Sequence, residues 1–249
     1  MHCGPHAFFY MESSVIAKRQ QLTARGLQGN FLAVMAFQIV LASASPRRKV
    51  LLESLGFSVK CVPAGIEEEL LPEESAENYV KRLARDKVLS VVHRIRTTQY
   101  DQAPARPGRR REGEEALRWV VGADTVVVSG ERILEKPKDN LEAFEMLSEL
   151  AGRSHVVLTG FCIFDMRKEK EGIQAVRTDV RFKNMTKNEI EKYISVGESM
   201  DKAGAYAVQG VGAYLVENLQ GSYTNVVGLP LCQVVQMMQE MGAHEVLPF

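Results

Sequence analysis

The sequence predicts an α/β fold, and three features of the chain support this prediction. Short apolar runs rich in β-branched residues, of which 119–128 is the strongest, have the pattern of buried strands. Between these runs lie segments whose apolar residues recur at helical spacing. Residues that start or stop helices flank several of these segments. Strands that alternate with helices in this way are typical of an α/β sheet.

The first part of the pattern predicts two strands and two helices. A strand over 37–41 is followed by a helix that Ser45-Pro46 begins and Gly56 ends, because Ser is a good N-cap and Pro favours the first helical position. A second strand is expected over 57–62. The acid-rich segment 67–77 predicts a solvated loop, and Ser75 opens a long helix that continues to about Val92.

The second part predicts three strands and three helices. Trp119–Val128 is a strand, and a helix over 140–150 ends near Gly152. The remaining predicted elements are strands at 155–164 and 178–182, and helices at 187–196 and 231–241.

We expect one domain over 37–249, with two segments outside its core. Residues 1–36 are predicted to be an N-terminal extension that is disordered or dispensable, although a weak organelle-targeting signal is an alternative. The Arg/Pro/Gly-rich segment 101–116 is predicted to be a flexible insertion.

Composition and charge exclude several classes of protein. Apolar residues make up 45% and charged residues 25%, which argues against disorder throughout the chain. Lys plus Arg and Asp plus Glu each number 31, so a protein that coats nucleic acid is disfavoured. The longest apolar stretch, 31–42, is too short to span a membrane. The four cysteines are far apart and form no CxxC pair, so we expect a reducing, cytoplasmic location.

The turn between the first strand and the first helix is the first candidate for chemistry. It contains Ser43, Ser45, Arg47 and Arg48 at the carboxyl end of a strand, where α/β sheets bind ligands. A helix N-terminus and guanidinium groups both attract phosphate. Each residue alone also has an ordinary interpretation, as a helix start or a solvated arginine.

Three further stretches are candidates. Asp124 lies inside the most apolar strand, where an unpartnered carboxylate is costly, so it either belongs to a functional network or marks a bulge. Glu135-Lys136-Pro137-Lys138 is a basic element near a turn, and a plain surface lysine is its ordinary interpretation. The glycine-rich segment 197–230 contains Gln209, whose amide is suited to reading a base edge. An ordinary glycine-rich loop is the alternative there.

Taken together, eight stretches in order resemble the Maf family of nucleotide pyrophosphatases. The resemblance covers about 37–241, and neither the N-terminal extension nor the Arg-rich insertion interrupts it. The matching stretches are LASASPRR (41–48), GIEEE (65–69), ESAENYVKRLARDK (74–87), VGADTVVV (121–128), LEKP (134–137), LTG (158–160), DKAGAYAVQG (201–210) and GSYTNVVGLP (221–230).

The resemblance implies a fold and an activity. It implies an elongated mixed sheet with flanking helices, two lobes around a cleft, and a homodimer. It implies cleavage of a nucleoside triphosphate between the α and β phosphates, with Mg²⁺ or Mn²⁺ as cofactor. From the charge balance and the short apolar stretches, we expect neither a nucleic-acid nor a membrane partner. The forms SPRR, ADT and VQG resemble the subgroup that acts on dTTP and UTP. The 7-methyl-GTP subgroup has an aromatic residue in place of the first Arg and Glu in place of this Gln.

The resemblance also implies a role for each site residue. Asp124 is the expected proton acceptor, and Glu68, Lys87 and Asp124 surround the metal and the attacking water. Which of the two carboxylates binds the metal and which takes the proton stays open. The expected phosphate ligands are Ser43, Arg47, Arg48 and Lys136, and the expected specificity residues are Arg48, Thr125 and Gln209.

Three other functions remain as hypotheses. A pyrophosphatase of the 7-methyl-GTP type is the first. A non-catalytic nucleotide-binding regulator of cell division is the second, and the retained acidic and basic motif residues argue against it. A protein that binds RNA through residues 103–113 is the third, although arginines in a Pro/Gly-rich loop are usually solvated charge.

Overall fold

The protein is described by a computed structural model that covers residues 38–101 and 118–243. The predicted N-terminal extension at 1–36 lies outside the described residues. So do residues 102–116 of the predicted insertion. Asp101, which we assigned to that insertion, is the last residue of a helix instead.

Seven strands form one mixed sheet, which confirms the predicted fold class. The order across the sheet is β2-β1-β3-β5-β6-β7, and β4 pairs with β3 outside this path. β1 runs parallel to β2 and to β3, whereas the other pairs are antiparallel. The strands are β1 Gln38–Leu41, β2 Ser58–Cys61, β3 Trp119–Ser129, β4 Arg132–Leu134, β5 Ser154–Asp165, β6 Lys170–Phe182 and β7 Val216–Gln220.

Six α-helices in the described residues accompany the sheet, and Ser45 caps the first of them as the sequence predicts. The Ser45 hydroxyl accepts from the Arg48 amide at the start of the first helix, where Pro46 takes the first position. The helices are α1 Pro46–Ser54, α2 Ala76–Asp101, α3 Asn140–Leu150, α4 Lys187–Ser195, α5 Tyr223–Val227 and α6 Leu231–Glu240. Two 3₁₀ turns, Ala203–Ala205 and Gly210–Leu215, lie between α4 and β7.

Several elements differ from the sequence-based expectation. α2 continues to Asp101 rather than ending near Val92, because its last part is polar and carries no apolar stripe to reveal the helix. β6 begins at Lys170 rather than at Thr178, and none of its first eight residues is buried. β4, β7 and α5 are short, and β7 is largely exposed, so the sequence showed no apolar signal for them.

The sheet has an apolar core on both faces. On one face, Trp119 and Val121 of β3 pack with Leu229 and Met238 from the C-terminal part of the chain. On the other face, residues of β1, β3 and β5 pack against α2; they include Val40, Val120, Cys162, Ala84, Val88 and Val91. The alternation of side chains along β3 therefore supplies both layers from a single strand. Among the described residues, no helix combines the length and the apolar character needed to cross a membrane.

Two glycines let α2 lie directly on the sheet. A Cβ at Gly122 would be 2.9 Å from the carbonyl oxygen of Ala84, and one at Gly160 would overlap the backbone of Val80. Gly160 is the cross-strand partner of Asp124, which follows Gly122 by two residues on the same face of β3. The close approach of α2 therefore occurs beside the predicted catalytic aspartate.

Gly160→Ala should lower the free energy of unfolding by about 2 kcal/mol or more, because the new methyl group meets backbone that cannot move alone. Gly172→Ala is the matched control, since a Cβ at this β6 glycine would meet only the flexible side chains of Met237 and Met241. It should cost less than about 1 kcal/mol. Urea unfolding of both variants measures the difference, and equal costs would contradict this account of α2 packing.

Candidate active site

The candidate site opens where one edge of β3 has no strand partner. Along this edge, β3 pairs with β1 at 119–121 and with β4 at 127–129, and residues 122–126 between them pair with neither strand. A cavity of about 690 Å³ lies at this gap, next to the carboxyl end of β1. Because neighbouring side chains of a strand point to opposite faces, Asp124 and Thr125 line the cavity from two sides.

The turn between β1 and α1 forms one wall of the cavity. Ser43, which is 9% exposed, accepts a hydrogen bond from the Ser45 amide at 3.1 Å. The same hydroxyl oxygen accepts from Nη1 of Arg48 at 3.2 Å. The two predicted phosphate ligands Ser43 and Arg48 are therefore joined by a direct hydrogen bond.

Arg48 is fixed across the cavity by three side-chain donors. Besides Ser43, its Nε donates to the carbonyl oxygen of Gly228 at 2.8 Å, and its Nη2 donates to Oγ1 of Thr125 at 3.0 Å. Burial lowers the pKa of Arg48, and the nearby Asp124 carboxylate opposes this effect. Arginine nevertheless remains charged at neutral pH. Arg48 is therefore a cation of fixed orientation.

Arg47 has a different environment from that of Arg48. Its Nη1 donates to Oδ2 of Asp201 at 3.0 Å, and the side chains are 29% and 62% exposed. Burial alone would raise the pKa of Asp201, but hydrogen bonds from Lys202 and Arg47 hold it below its usual value. An ion pair this exposed contributes little to stability, so Arg47 can exchange Asp201 for another anion at low cost.

An acid–lysine cluster lies on the α2 side of the cavity. Nζ of Lys87 is 2.6 Å from Oδ1 of Asp124 and 2.7 Å from Oε1 of Glu68. Lys87 and Asp124 are each 7% exposed, whereas the Glu68 side chain is 40% exposed. One ammonium group therefore compensates two carboxylates that converge on the same point.

A hydrogen bond between Tyr79 and Glu135 lies beside this cluster and was not predicted from the sequence. The buried Tyr79 hydroxyl donates to Oε1 of Glu135 at 2.5 Å and lies 3.3 Å from the carbonyl oxygen of Glu68. Burial, and then the Glu135 carboxylate, raise the pKa of Tyr79, so the phenol remains a donor. From the sequence, Tyr79 was predicted only to lie within the helix that Ser75 opens. The signal in the sequence was the tyrosine hydroxyl itself, because a buried hydroxyl needs a hydrogen-bond partner.

Lys136 and Gln209 complete the lining of the cavity, and both residues are exposed. Gln209 precedes the 3₁₀ turn at 210–215, in which the amides of Val211 and Gly212 donate to the carboxylate of Glu198, each at 3.1 Å. The cavity thus brings together all of the predicted site residues: Ser43, Arg47, Arg48, Glu68, Lys87, Asp124, Thr125, Lys136 and Gln209.

The donor set of the cavity fits a hard divalent cation. The carboxylates of Glu68 and Asp124 already converge on one cationic group, Lys87. Within the described residues, no group of three or more His, Cys, Asp or Glu side chains could hold a metal ion. Mg²⁺ commonly binds through one or two carboxylates together with phosphate oxygens of a substrate. Two carboxylates are therefore sufficient if the ion arrives with a polyphosphate.

A buried histidine supports the wall of the cavity from behind. Nε2 of His155 lies 2.8 Å from the hydroxyl of Tyr206, which lines the cavity, and both rings pack edge to face with Phe182. Burial lowers the pKa of His155 to about 4, so the imidazole is neutral in the folded protein at neutral pH.

The chain is similar to known proteins of the Maf family over most of its length. The family model of Maf-like proteins matches residues 38–241. The chain is 44% identical over 205 residues to the dTTP/UTP pyrophosphatase of Syntrophotalea carbinolica, a match that covers 82% of this chain and 85% of that protein. It is 46% identical over 209 residues to the protein of the same name from Geotalea uraniireducens, covering 83% and 96%. It is 44% identical over 204 residues to the dTTP/UTP pyrophosphatase of Photobacterium profundum, a match that covers 82% of this chain and 96% of that protein.

Lys87→Met should lower the free energy of unfolding by about 2–4 kcal/mol, because it leaves the buried carboxylate of Asp124 beside Glu68 without a cation. The double variant Lys87→Met/Asp124→Asn removes both buried charges and should recover part of this loss. Chemical denaturation of the single and double variants tests the coupling. Losses that simply add would show that Lys87 does not stabilise the carboxylate pair.

The pH dependence of stability should contain a contribution from His155. Its pKa falls from 6.5 in the unfolded chain to about 4 in the fold, so the unfolded state binds the proton more readily between these values. The stabilising effect is complete above pH 6.5 and is lost as the pH falls towards 4, by roughly 3 kcal/mol in total. His155→Gln should flatten the slope of unfolding free energy against pH in this window. An unchanged slope would refute the assignment.

Proposed function

The chain belongs to the Maf family, and on this premise we propose that it hydrolyses dTTP and UTP to the nucleoside monophosphate and pyrophosphate. The family match spans most of the described residues, and the curated relatives named above carry this activity in their names. The identities of 44–46% extend over more than four fifths of the chain. Hydrolysis of the anhydride bond between the α and β phosphates of a nucleotide is therefore the function that best fits the chain.

The arrangement of charge in the cavity is the observation that carries the proposal. Arg47 and Arg48 in the first turn of α1, together with Lys136, line the cavity, and so do the carboxylates of Glu68 and Asp124 beside the gap in β3. A triphosphate needs several cationic groups to balance its charge, and Arg is suited to its oxygens. A carboxylate beside the same phosphates is unfavourable for binding alone but useful for hydrolysis.

We assign the two sides of the cavity to the two ends of the substrate. The phosphates lie between Arg47, Lys136 and the acid–lysine cluster, and the base lies against Arg48, Thr125 and Gln209. Arg48 is not a plain phosphate ligand under this assignment, because three of its N–H groups are already used by protein acceptors. Arg47 has a single exposed partner, Asp201, and is the more adaptable of the two arginines.

The reaction is a displacement at the α phosphorus. A water oxygen forms a bond to this atom while the bond to the oxygen that bridges the α and β phosphorus atoms breaks, and pyrophosphate departs. The proton of the water passes to the carboxylate of Asp124, whose Oδ1 is held by Lys87 at 2.6 Å. Lys87 thereby keeps the base in one orientation, and Lys136 and Arg47 balance the charge that develops on the leaving group.

We further propose that Mg²⁺ or Mn²⁺ binds with the substrate at Glu68 and Asp124. When bound, the ion polarises the phosphate and orients the attacking water. The support is the convergence of the two carboxylates and their hard oxygen atoms. Glu68 is the more exposed of the two and can turn towards an entering ion without uncovering buried charge.

The cellular context follows from the same premise. We propose a cytoplasmic homodimer, in line with the resemblance. Cys61, Cys162 and Cys232 are free thiols in the described residues, as expected in a reducing compartment. Light scattering coupled to size-exclusion chromatography measures the mass of the assembly directly.

Purified protein should release pyrophosphate and the monophosphate from dTTP and UTP in the presence of Mg²⁺ or Mn²⁺, and EDTA should abolish this release. Asp124→Asn should reduce kcat at least about 100-fold, because it removes the proton acceptor and keeps the shape of the side chain. Ion chromatography of the products measures both effects.

Orthophosphate as the sole phosphate product would exclude cleavage between the α and β phosphates. A near-normal rate for Asp124→Asn would remove this residue from the mechanism. 7-Methyl-GTP serves as the competing substrate, and its preference over dTTP and UTP would favour the alternative subgroup.

A further inference from the structure

A chain of hydroxyl groups connects the cavity to a fully buried part of the fold. Nη2 of Arg48 donates to Oγ1 of Thr125 at 3.0 Å, and this oxygen lies 2.9 Å from Oγ1 of Thr159. Thr159 donates in turn to the carbonyl oxygen of Asn225 at 3.0 Å. Thr159 is the register partner of Thr125 on β5, is 0% exposed, and does not line the cavity.

The direction of every proton in this chain is determined by its two ends. A guanidinium has no acceptor, so Thr125 must accept from Arg48. A carbonyl oxygen cannot donate, so the hydroxyl of Thr159 must donate its one proton to the carbonyl oxygen of Asn225. Thr159 can then only accept in its contact with Thr125, and Thr125 therefore donates to Thr159. Any other arrangement would place lone pairs against each other at about 3 Å inside the protein.

The buried end of the chain is anchored. Asn225 is 0% exposed, and its Nδ2 donates to the carbonyl oxygen of Val157 at 3.1 Å and to Oγ1 of Thr178 at 2.9 Å. The amide of Gly228 also donates to the carbonyl oxygen of Asn225, at 2.9 Å. This acceptor cannot turn away, so Thr159 has no alternative for its proton.

The direction of these hydrogen bonds decides which donors and acceptors face a base in the cavity. The single proton of Thr125 is used internally, so towards the cavity Thr125 offers only a lone pair. Arg48 uses three N–H groups on protein acceptors, which leaves one hydrogen on Nη1 and one on Nη2 for a ligand. The wall therefore presents a donor next to an acceptor.

We propose that Thr159 is a positioning residue that fixes Thr125 as a hydrogen-bond acceptor and so selects the imide edge of uracil and thymine over cytosine. That edge carries a carbonyl beside an N3–H group, which matches the donor of Arg48 and the acceptor of Thr125. Cytosine carries an unprotonated N3 at the same place and meets the lone pair of Thr125. This inference rests on the proposed function, because it assumes that a pyrimidine nucleotide is the substrate.

Thr159→Val and Thr159→Ser form a matched pair of tests. Val has nearly the shape of Thr but removes the hydroxyl, which frees the proton of Thr125 to turn towards the cavity. The ratio of kcat/KM for UTP to that for CTP should fall at least about 5-fold in Thr159→Val, the scale of one hydrogen bond. Thr159→Ser keeps the hydroxyl and should retain the wild-type ratio within about 2-fold. A purely structural role would lower both rates together, and an unchanged ratio would overturn the proposal.

Wild-type protein provides a second test that needs no variant. A methyl group on N3 of the base removes the proposed donor, whereas a methyl group on C5 leaves it in place. 3-Methyluridine triphosphate should be hydrolysed at least about 10-fold less efficiently than 5-methyluridine triphosphate. Equal efficiency would contradict a contact between N3–H and Thr125.

Calorimetric titration separates this inference from the proposed function. The α,β-methylene analogues of UTP and CTP bind without being cleaved between these phosphates, so their affinities report recognition alone. If the wild type binds the uridine analogue more tightly than the cytidine analogue, and Thr159→Val weakens this preference, the inference is supported. This holds even if the wild type releases no pyrophosphate, although that result would refute the proposed activity. Equal affinities in an active enzyme would refute the inference and leave the activity standing.

Discussion

The interrupted edge of β3 is the constraint on which the site depends. β3 pairs with β1 only up to Val121 and with β4 only from Val127 onwards, so five residues in the middle of this largely buried strand have no strand neighbour on one side. Side chains from both faces of the sheet reach the resulting cavity. The glycines at 122 and 160 allow α2 to approach the same stretch, which brings Lys87 to the Asp124 carboxylate. Without that approach the acidic group would be buried alone, at high cost.

The two faces of β3 give the cavity two kinds of polar surface. On the α2 face, Lys87 balances two carboxylates and leaves their other oxygens for a cation or a water molecule. On the opposite face, Arg48 and Thr125 belong to a hydrogen-bonded chain that ends on the backbone near Gly228. Under the proposed function, chemistry at the phosphates would depend on the first network and recognition of the base on the second.

The sequence was informative where the signal lies in neighbouring residues of the chain. The Ser45-Pro46 helix start, the apolar run of β3 and the aspartate inside it were each visible from the pattern, and the family resemblance supplied the roles. It was silent where function depends on partners distant in the chain. Thr159 looks like an ordinary strand residue until the register pairs it with Thr125, and its acceptor lies 66 positions away. Glu135 and Tyr79 are likewise joined only by the fold.

The central claim is that Glu68 and Asp124 face the α phosphate together with a divalent ion, opposite a wall that reads the base. A crystal structure of the protein with Mn²⁺ and the α,β-methylene analogue of UTP tests it directly. The claim predicts anomalous density between the carboxylates of Glu68 and Asp124, with the uracil ring against Arg48 and Thr125. A nucleotide bound with its base beside Lys87, or manganese held away from both carboxylates, would contradict it.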